Sequence, residues 1–480
     1  MKNKKNKVLF SLLWKFLEKG GTQGIQFILQ IILARILLPS DYGLISLISV
    51  FIALANVFIQ SGFNIALIQK KEIDEKDFSS VFYLSIIISI ILYVLLFFTS
   101  PFIENFYSVL GISKILRILS LTLFLGPINS IQNAIISRKM EFKKLFFSSI
   151  LATVLSGAVG VISALVGFGV WALVFQQLLN QITITMVLWF TVKWRPKLLF
   201  SLERIKELFS YGGKILFSTL LDTLYMNLRS LIVGKMYSAE ILAYYNRGDQ
   251  FPQLIISNIN GSIQSVMLPV LAEEQDNKRR IKEMVRRSIV TSSFIIFPMM
   301  IGLSVIAVPL IKVILTEKWL PCVPFLRVFC LSYALWPIHT ANLQAINAIG
   351  RSDIYLKLEV IKKVLGMIIL VISMQFGVYA IAIGLLVSSV ISTFINSYPN
   401  RALLNYSYLE QIKDIAPSFI LALIMGGVIY LISFLKIEPL IILLLQVIVG
   451  GIIYVLMSNI FKLECFIYLV NTIKEGINKN

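Results

Sequence analysis

The chain has 480 residues, of which 57% are hydrophobic and only 14% charged, and its mean hydropathy is +0.84. A soluble domain carries about 25% charged residues, so the composition excludes a soluble enzyme or binding module and points to an all-α polytopic membrane protein. The net charge of +19 does not call for nucleic acid, because in a membrane protein the placement of basic residues matters more than their sum.

At ~20 residues per span, about fourteen membrane helices are predicted. Their approximate limits are 12–37, 42–65, 79–102, 112–137, 146–167, 170–192, 210–233, 247–271, 289–315, 325–348, 357–376, 377–398, 414–434 and 439–460. The lysine-rich start resembles the front of a signal peptide, but no small-residue cleavage site follows and the apolar run continues, so it reads as the first span. Spans 5 and 6 are separated only by Gly167-Phe168-Gly169, and spans 11 and 12 by Phe376-Gly377. With the N-terminus inside, roughly 31 of the 44 Lys and Arg fall on the cytoplasmic side and about nine outside. Both termini are therefore expected in the cytoplasm. Contact with anionic lipid headgroups is a smaller role for the same charges. The linker 193–209 carries Leu198, Leu202, Ile205 and Phe209 at helical spacing, which predicts an amphipathic helix on the inner surface.

The chain repeats itself. Arg138 in SRKMEF corresponds to Arg351 in GRSDIY, and FGVWA (168–172) to FGVYA (376–380). Residues 1–192 are predicted to form one six-helix bundle and 210–400 a second, with 401–480 adding two helices and a tail. Repeats of one orientation place a transported substrate between the halves.

Four spans carry polar stripes. Residues three, four and seven apart share a helix face. Span 7 aligns Lys214, Ser218, Asp222, Tyr225 and Arg229. Span 1 aligns Lys19, Gln23, Gln26 and Gln30, followed by Arg35. Span 2 offers Asn56 and Gln60, and span 8 offers Gln250, Gln253, Asn260 and Gln264. A charge at mid-bilayer costs at least ~2.5–3.5 kcal/mol on insertion scales, and a water-filled cavity between the halves removes most of that cost. The competing explanation for any one such residue is interhelical bonding, worth ~0.6 kcal/mol on average; snorkelling competes for Lys214 and Arg229. For Asn129, Gln132, Asn133, Gln177, Asn180, Gln181 and Asn342, packing is the expected role, with extension of the cavity as the alternative, and His339 is expected to be a buried, hydrogen-bonded residue. Small residues at Gly20, Gly24, Gly157, Gly160, Gly426 and Gly427 are expected at close helix contacts. Cys322, Cys330 and Cys465 are too few and too scattered for a metal site or disulfide framework. No nucleophile–base pair, phosphate loop or nucleotide-binding domain is present, so neither enzymatic catalysis nor a cofactor is expected.

LARILLPSDYGLISL (33–47), QSGFNIALIQKKEIDEKDFSSVFYLS (60–85), RKMEFKKL (138–145), GFGVWALVFQQLL (167–179), WRPKLLFSLERIKELFSYGG (194–213) and AYYNRGDQFPQL (243–254) together resemble the Wzx-type polysaccharide-transport flippases. These belong to the multidrug/oligosaccharidyl-lipid/polysaccharide exporter superfamily. The resemblance implies two six-helix bundles forming a V-shaped central cavity, alternating access, and translocation of undecaprenyl-pyrophosphate-linked oligosaccharides from the inner to the outer leaflet of the cytoplasmic membrane, for O-antigen, capsule or exopolysaccharide synthesis. It implies a cationic cavity, for which Lys214, Arg229 and Arg35 are suited, and a polysaccharide polymerase and chain-length regulator as partners. The alternatives are a cation-coupled multidrug antiporter, with Asp222 as the cation site, and a membrane polymerase or glycosyltransferase, which would need a large outer catalytic loop.

Overall fold

The computed structural model describes residues 2–274 and 277–478, all helix, turn and loop, in two compact units, 1–243 and 244–480. Met1, Gln275, Asp276, Lys479 and Asn480 lie outside the described residues.

The first unit holds α1 (Lys2–Ile36), α2 (Pro39–Asn56), α3 (Gly62–Gln69), α4 (Glu75–Tyr107), α5 (Ile112–Leu119), α6 (Gly126–Lys139), α7 (Phe142–Leu165), α8 (Val170–Thr191) and α9 (Leu202–Met236). A π-helical turn, Val57–Ser61, joins α2 to α3. A 3₁₀ turn, Ser120–Phe124, joins α5 to α6. The second unit takes most of α10 (Ala239–Glu273), then α11 (Lys278–Ile314), α12 (Val323–Ala334), α13 (Trp336–Ala348), α14 (Ser352–Ser373), α15 (Val378–Leu404), α16 (Tyr408–Ile432), α17 (Pro439–Ile460) and α18 (Glu464–Asn478).

Each predicted span falls on one helical rod. Among the described residues, ten rods are long and apolar enough to cross a membrane. The other long helices, α1, α9, α10 and α14, are more polar, and three of them bear the predicted stripes.

Local chemistry sets the helix ends. Asp74 accepts a bond from the Asp77 N–H (2.9 Å) while the Asp77 carboxylate accepts from the Asp74 N–H (3.1 Å), a reciprocal cap that satisfies two N-terminal donors of α4. Ser407 and Glu410 cap α16 in the same way. The repeated turns match as well. Gly169 (φ 53°) and Gly377 (φ 105°) both precede the second helix of their pair, in a conformation that side chains with a Cβ rarely adopt.

The linker behaves differently from the amphipathic helix expected over 193–209. Residues 193–201 are non-helical, and 202–209 form the first turns of α9. The extended part has its own anchors: the Lys197 and Ser201 N–H groups donate to the Ser79 and Ser80 hydroxyls of α4 (3.1 and 2.9 Å). Ile205 and Leu208 then enter a core with Phe63, Leu67, Ile131 and Leu188. As a result α9 packs on α2, α3 and α4 of the first unit. Its approach to α3 is close because both crossing residues are glycines: a Cβ on Gly212 would sit 2.6 Å from the Gly62 carbonyl oxygen.

Within the first unit α7 packs on α1 and α8. Gly157 faces Leu29 and Gly160 faces Gln176, as expected for small residues at contacts. Gly20, Gly24 and, in the second unit, Gly427 have open space instead; they do not mediate packing. In the second unit α11 is the central helix, packed on α12, α13, α16 and α17. Gly426 of α16 meets Ile301 of α11.

Candidate functional site

The first unit forms an open cavity of about 470 Å³. α1 contributes Gln26 and Gln30, and the π turn and its flank contribute Asn56 and Gln60. α7 contributes Thr153 and Ser156, while α8 contributes Gln176, Gln177, Asn180 and Gln181. Their convergence follows from helix periodicity. Gln26 and Gln30 are four apart on α1. Gln177 and Gln181 are four apart on α8, with Gln176 and Asn180 beside them. Gln60 donates to the Asn56 carbonyl oxygen (3.2 Å) and Asn180 to the Ser156 hydroxyl (3.2 Å). Behind α8, Asn129 of α6 donates to Gln181 (3.4 Å) and accepts from Thr185 (3.0 Å).

The predicted residues thus fall into separate groups. Gln26, Gln30, Asn56 and Gln60 come together in this cavity. Gln177, Asn180 and Gln181, expected to pack, line it too. Gln176 was not anticipated; its spacing from Asn180 was the available signal. Lys19, Gln23 and Arg35 lie elsewhere on α1 and are not in the lining.

On α9, Lys214, Ser218 and Asp222 are exposed, and Tyr225 and Arg229 half-buried. The Arg229 guanidinium lies 5.9 Å from the Tyr225 ring centroid. These five residues form one continuous stripe, and none of them lines the cavity of the first unit.

In the second unit, Gln250 accepts from Arg247 (2.6 Å), and Gln253 and Gln264 are exposed. Asn260 is buried with its carbonyl oxygen unbonded. Arg247 is 7% exposed and stacks 4.8 Å over Trp319. His339 is the buried, bonded histidine expected. Ser389 and Thr393 lie 3.4 and 3.2 Å from Nε2, and Asn396 lies 3.1 Å from Nδ1. Asn342 and Gln411 exchange bonds of 2.8 and 3.0 Å, and Asn400 donates to Asn342 (2.6 Å).

Charge is concentrated where the helices end. Arg286 of α11 holds Asp414 of α16 (3.0 Å) and, with two further bonds, Glu464 of α18. Those bonds hold the Glu464 carboxyl below the usual range. In the first unit Lys70 bridges Asp77 (3.1 Å) and Glu207 (2.9 Å). Burial opposes the Lys70 charge, but the bonds from Glu207 and Asp77 override it and raise its pKa.

A sequence profile of the family described as "Polysaccharide biosynthesis protein" matches residues 32–324. The chain belongs to this family. Proteins with similar sequences include the teichuronic acid biosynthesis protein TuaB of Bacillus subtilis strain 168, 28% identical over 302 residues. That match covers 62% of this chain and 62% of TuaB's length. The lipopolysaccharide biosynthesis protein WzxC of Escherichia coli K12 is 23% identical over 423 residues, 87% of this chain and 86% of WzxC. Among solved structures, the lipid II flippase MurJ aligns with a TM-score of 0.77 at 17% identity, covering 94% of this chain and 98% of that one. This likeness shows the fold, that of a multi-pass helical membrane protein.

Proposed function

We propose that the chain is a transporter that moves undecaprenyl-pyrophosphate-linked oligosaccharide units from the inner to the outer leaflet of the cytoplasmic membrane by alternating access. The observation that carries this reading is the α9 stripe, three charges on one helix face in a family that serves polysaccharide synthesis. A hydrocarbon-spanning helix keeps such charges at a cost unless they meet water or a charged cargo. A diphosphate is such a cargo, because an uncompensated anion in a low-dielectric region is unfavourable.

Arginine chelates phosphate oxygens with paired donors, while lysine acts as a point charge. Lys214 and Arg229 lie ~22 Å apart along the helix at 1.5 Å per residue, so one phosphate group meets them in sequence. Lys214 takes it near the cytoplasmic side and Arg229 releases it near the outer side, with Arg35 as a further cation there. Asp222 between them reduces the stripe to net +1, which keeps the diphosphate from binding too tightly to leave. Both termini are cytoplasmic in this reading. A polymerase and a chain-length regulator act on the delivered units, and basic cytoplasmic loops touch anionic lipid.

Deletion of the gene in its host, followed by complementation, tests the reading. Cells without the chain should lose surface polysaccharide and accumulate lipid-linked oligosaccharide, and the wild-type gene should reverse both. Arg229→Ala should fail to complement at normal protein abundance, and Arg229→Lys should restore export only partly. Full export by both Lys214→Ala and Arg229→Ala would show that these side chains merely snorkel.

A further inference from the structure

The cavity of the first unit is chemically unlike the α9 stripe. Its lining contains Gln, Asn, Thr, Ser and one Tyr among apolar residues, and no Asp, Glu, Lys, Arg or His. It offers nothing to balance a diphosphate or a metal ion. What it offers is density of amides, each with two donors and a carbonyl acceptor. Among the described residues, the side chains of Gln26, Gln176 and Gln177 make no hydrogen bond. Gln26 is exposed and Gln176 and Gln177 are half-buried, so their donors and acceptors stand open to the cavity, available to a guest that can pair with them.

The wall itself is specialised. The π turn at Val57–Ser61 interrupts the α2–α3 rod where Asn56 and Gln60 enter the cavity. Such turns inside α-helices occur frequently at functional sites. Opposite it, Gly126 keeps the space open. A Cβ there would lie 3.1 Å from Ile59 and 3.6 Å from both the Asn56 oxygen and the Gln60 nitrogen. The volume of about 470 Å³ falls within the ~300–1,000 Å³ of small-molecule sites.

We propose that this cavity is a saccharide subsite, holding an uncharged sugar of the glycan by pairing its hydroxyls with the amides of α1, α8 and the π turn. Sugar hydroxyls donate and accept at once, which matches primary amides and does not match single-sign ionic groups. The C–H faces of a ring fit the intervening Leu33, Ile52 and Leu173 and the Tyr42 ring. The proposal rests on the flippase reading and adds that sugar and diphosphate are held by different residues.

The test uses the full-length protein in lipid nanodiscs, with Cys322, Cys330 and Cys465 replaced by alanine. Single thiols are introduced by Gln177→Cys and, separately, Ser218→Cys. Labelling by a cationic methanethiosulfonate is followed with two probes. One is lipid-linked oligosaccharide extracted from the polysaccharide-producing host, and the other is undecaprenyl pyrophosphate without sugar. The proposal expects the oligosaccharide lipid to slow labelling at Gln177→Cys severalfold, with no effect of the sugar-free lipid there. Both lipids should slow labelling at Ser218→Cys. Protection at Ser218→Cys alone, by both lipids, overturns the saccharide subsite and leaves the flippase reading standing. Protection of Gln177→Cys by the sugar-free lipid also overturns it, since the cavity would then hold the carrier. No protection at either thiol by either lipid overturns the flippase reading and the subsite with it. Gln26→Cys, on the opposite wall, replaces Gln177→Cys if that variant does not fold, with the same expectations.

Discussion

Arg138 shows how far one side chain's role depends on its surroundings. Its guanidinium donates to the carbonyls of Leu67 (2.9 Å), Ile68 (3.0 Å), Lys70 (2.6 Å) and Lys71 (3.1 Å). These are carbonyls at the C-terminal end of α3, where the helix has no partners of its own to offer them and where a cation is favoured by the helix dipole. Arg351, its counterpart in the repeat, only pairs with Asp353 at the surface (2.8 Å). Arg138→Ala should therefore lower stability by about 1.5–3 kcal/mol, the range for bonds to a charged group, whereas Arg351→Ala should leave the thermal midpoint unchanged. Thermal unfolding of the two purified variants compares them directly. Equal midpoints would mean that the α3 carbonyls are satisfied without Arg138. The sequence showed that the two arginines correspond, but not that they differ, because the carbonyls concerned lie some seventy residues from Arg138 in the chain. Asn342 and Gln411 were out of reach for the same reason: each is satisfied by a residue far along the chain.

At the level of the helix, what was legible was what depends on neighbours in sequence. The two FGV turns and the alignment of Gln26 with Gln30 follow from local geometry alone. The amides of α8 were read as packing because periodicity shows that residues share a face and not what the face meets. The linker was read as a separate helix because its apolar spacing is real. What the spacing did not reveal is that Ile205 and Leu208 are buried against α3 and α6 while 193–201 is held in extended form by α4 hydroxyls. The glycines separate in the same manner. Gly212 crosses Gly62 backbone to backbone, whereas Gly20 and Gly24 have nothing within 4 Å of a built Cβ. Gly212→Val should thus disrupt the α3–α9 contact and reduce the yield of folded protein. Gly20→Ala and Gly24→Ala should each be neutral or raise stability by up to about 1 kcal/mol, the helix-propensity difference between the two residues. Size-exclusion profiles and melting curves of the three variants decide this; destabilisation by Gly20→Ala would reveal a contact of α1 that the fold does not contain.

For the molecule as a whole, hydropathy carried the helical architecture, since it is a sum over long windows and tolerates local error, while the bias of basic residues sets the expected topology. The helices α1, α9 and α10 are among the long helices that are not apolar enough throughout to count as ordinary spans, and a transporter needs polar helix faces where cargo passes. Topology follows from the same bias. Reporter fusions at Lys76 and Lys278 should report cytoplasm, and those at Gly111 and Ala239 the outside; an external signal at Lys278 would break the fourteen-span arrangement. The central claim is movement of a lipid-linked glycan across a bilayer, and reconstitution measures it most directly. Proteoliposomes carrying the purified chain, loaded with lipid-linked oligosaccharide in both leaflets, are exposed to a glycosidase that cannot cross the membrane. With the wild-type chain nearly all of the glycan should become accessible, while protein-free vesicles and vesicles with Arg229→Ala should retain the inner-leaflet fraction. If the wild-type chain exposes no more glycan than protein-free vesicles do, it is not a flippase for this cargo.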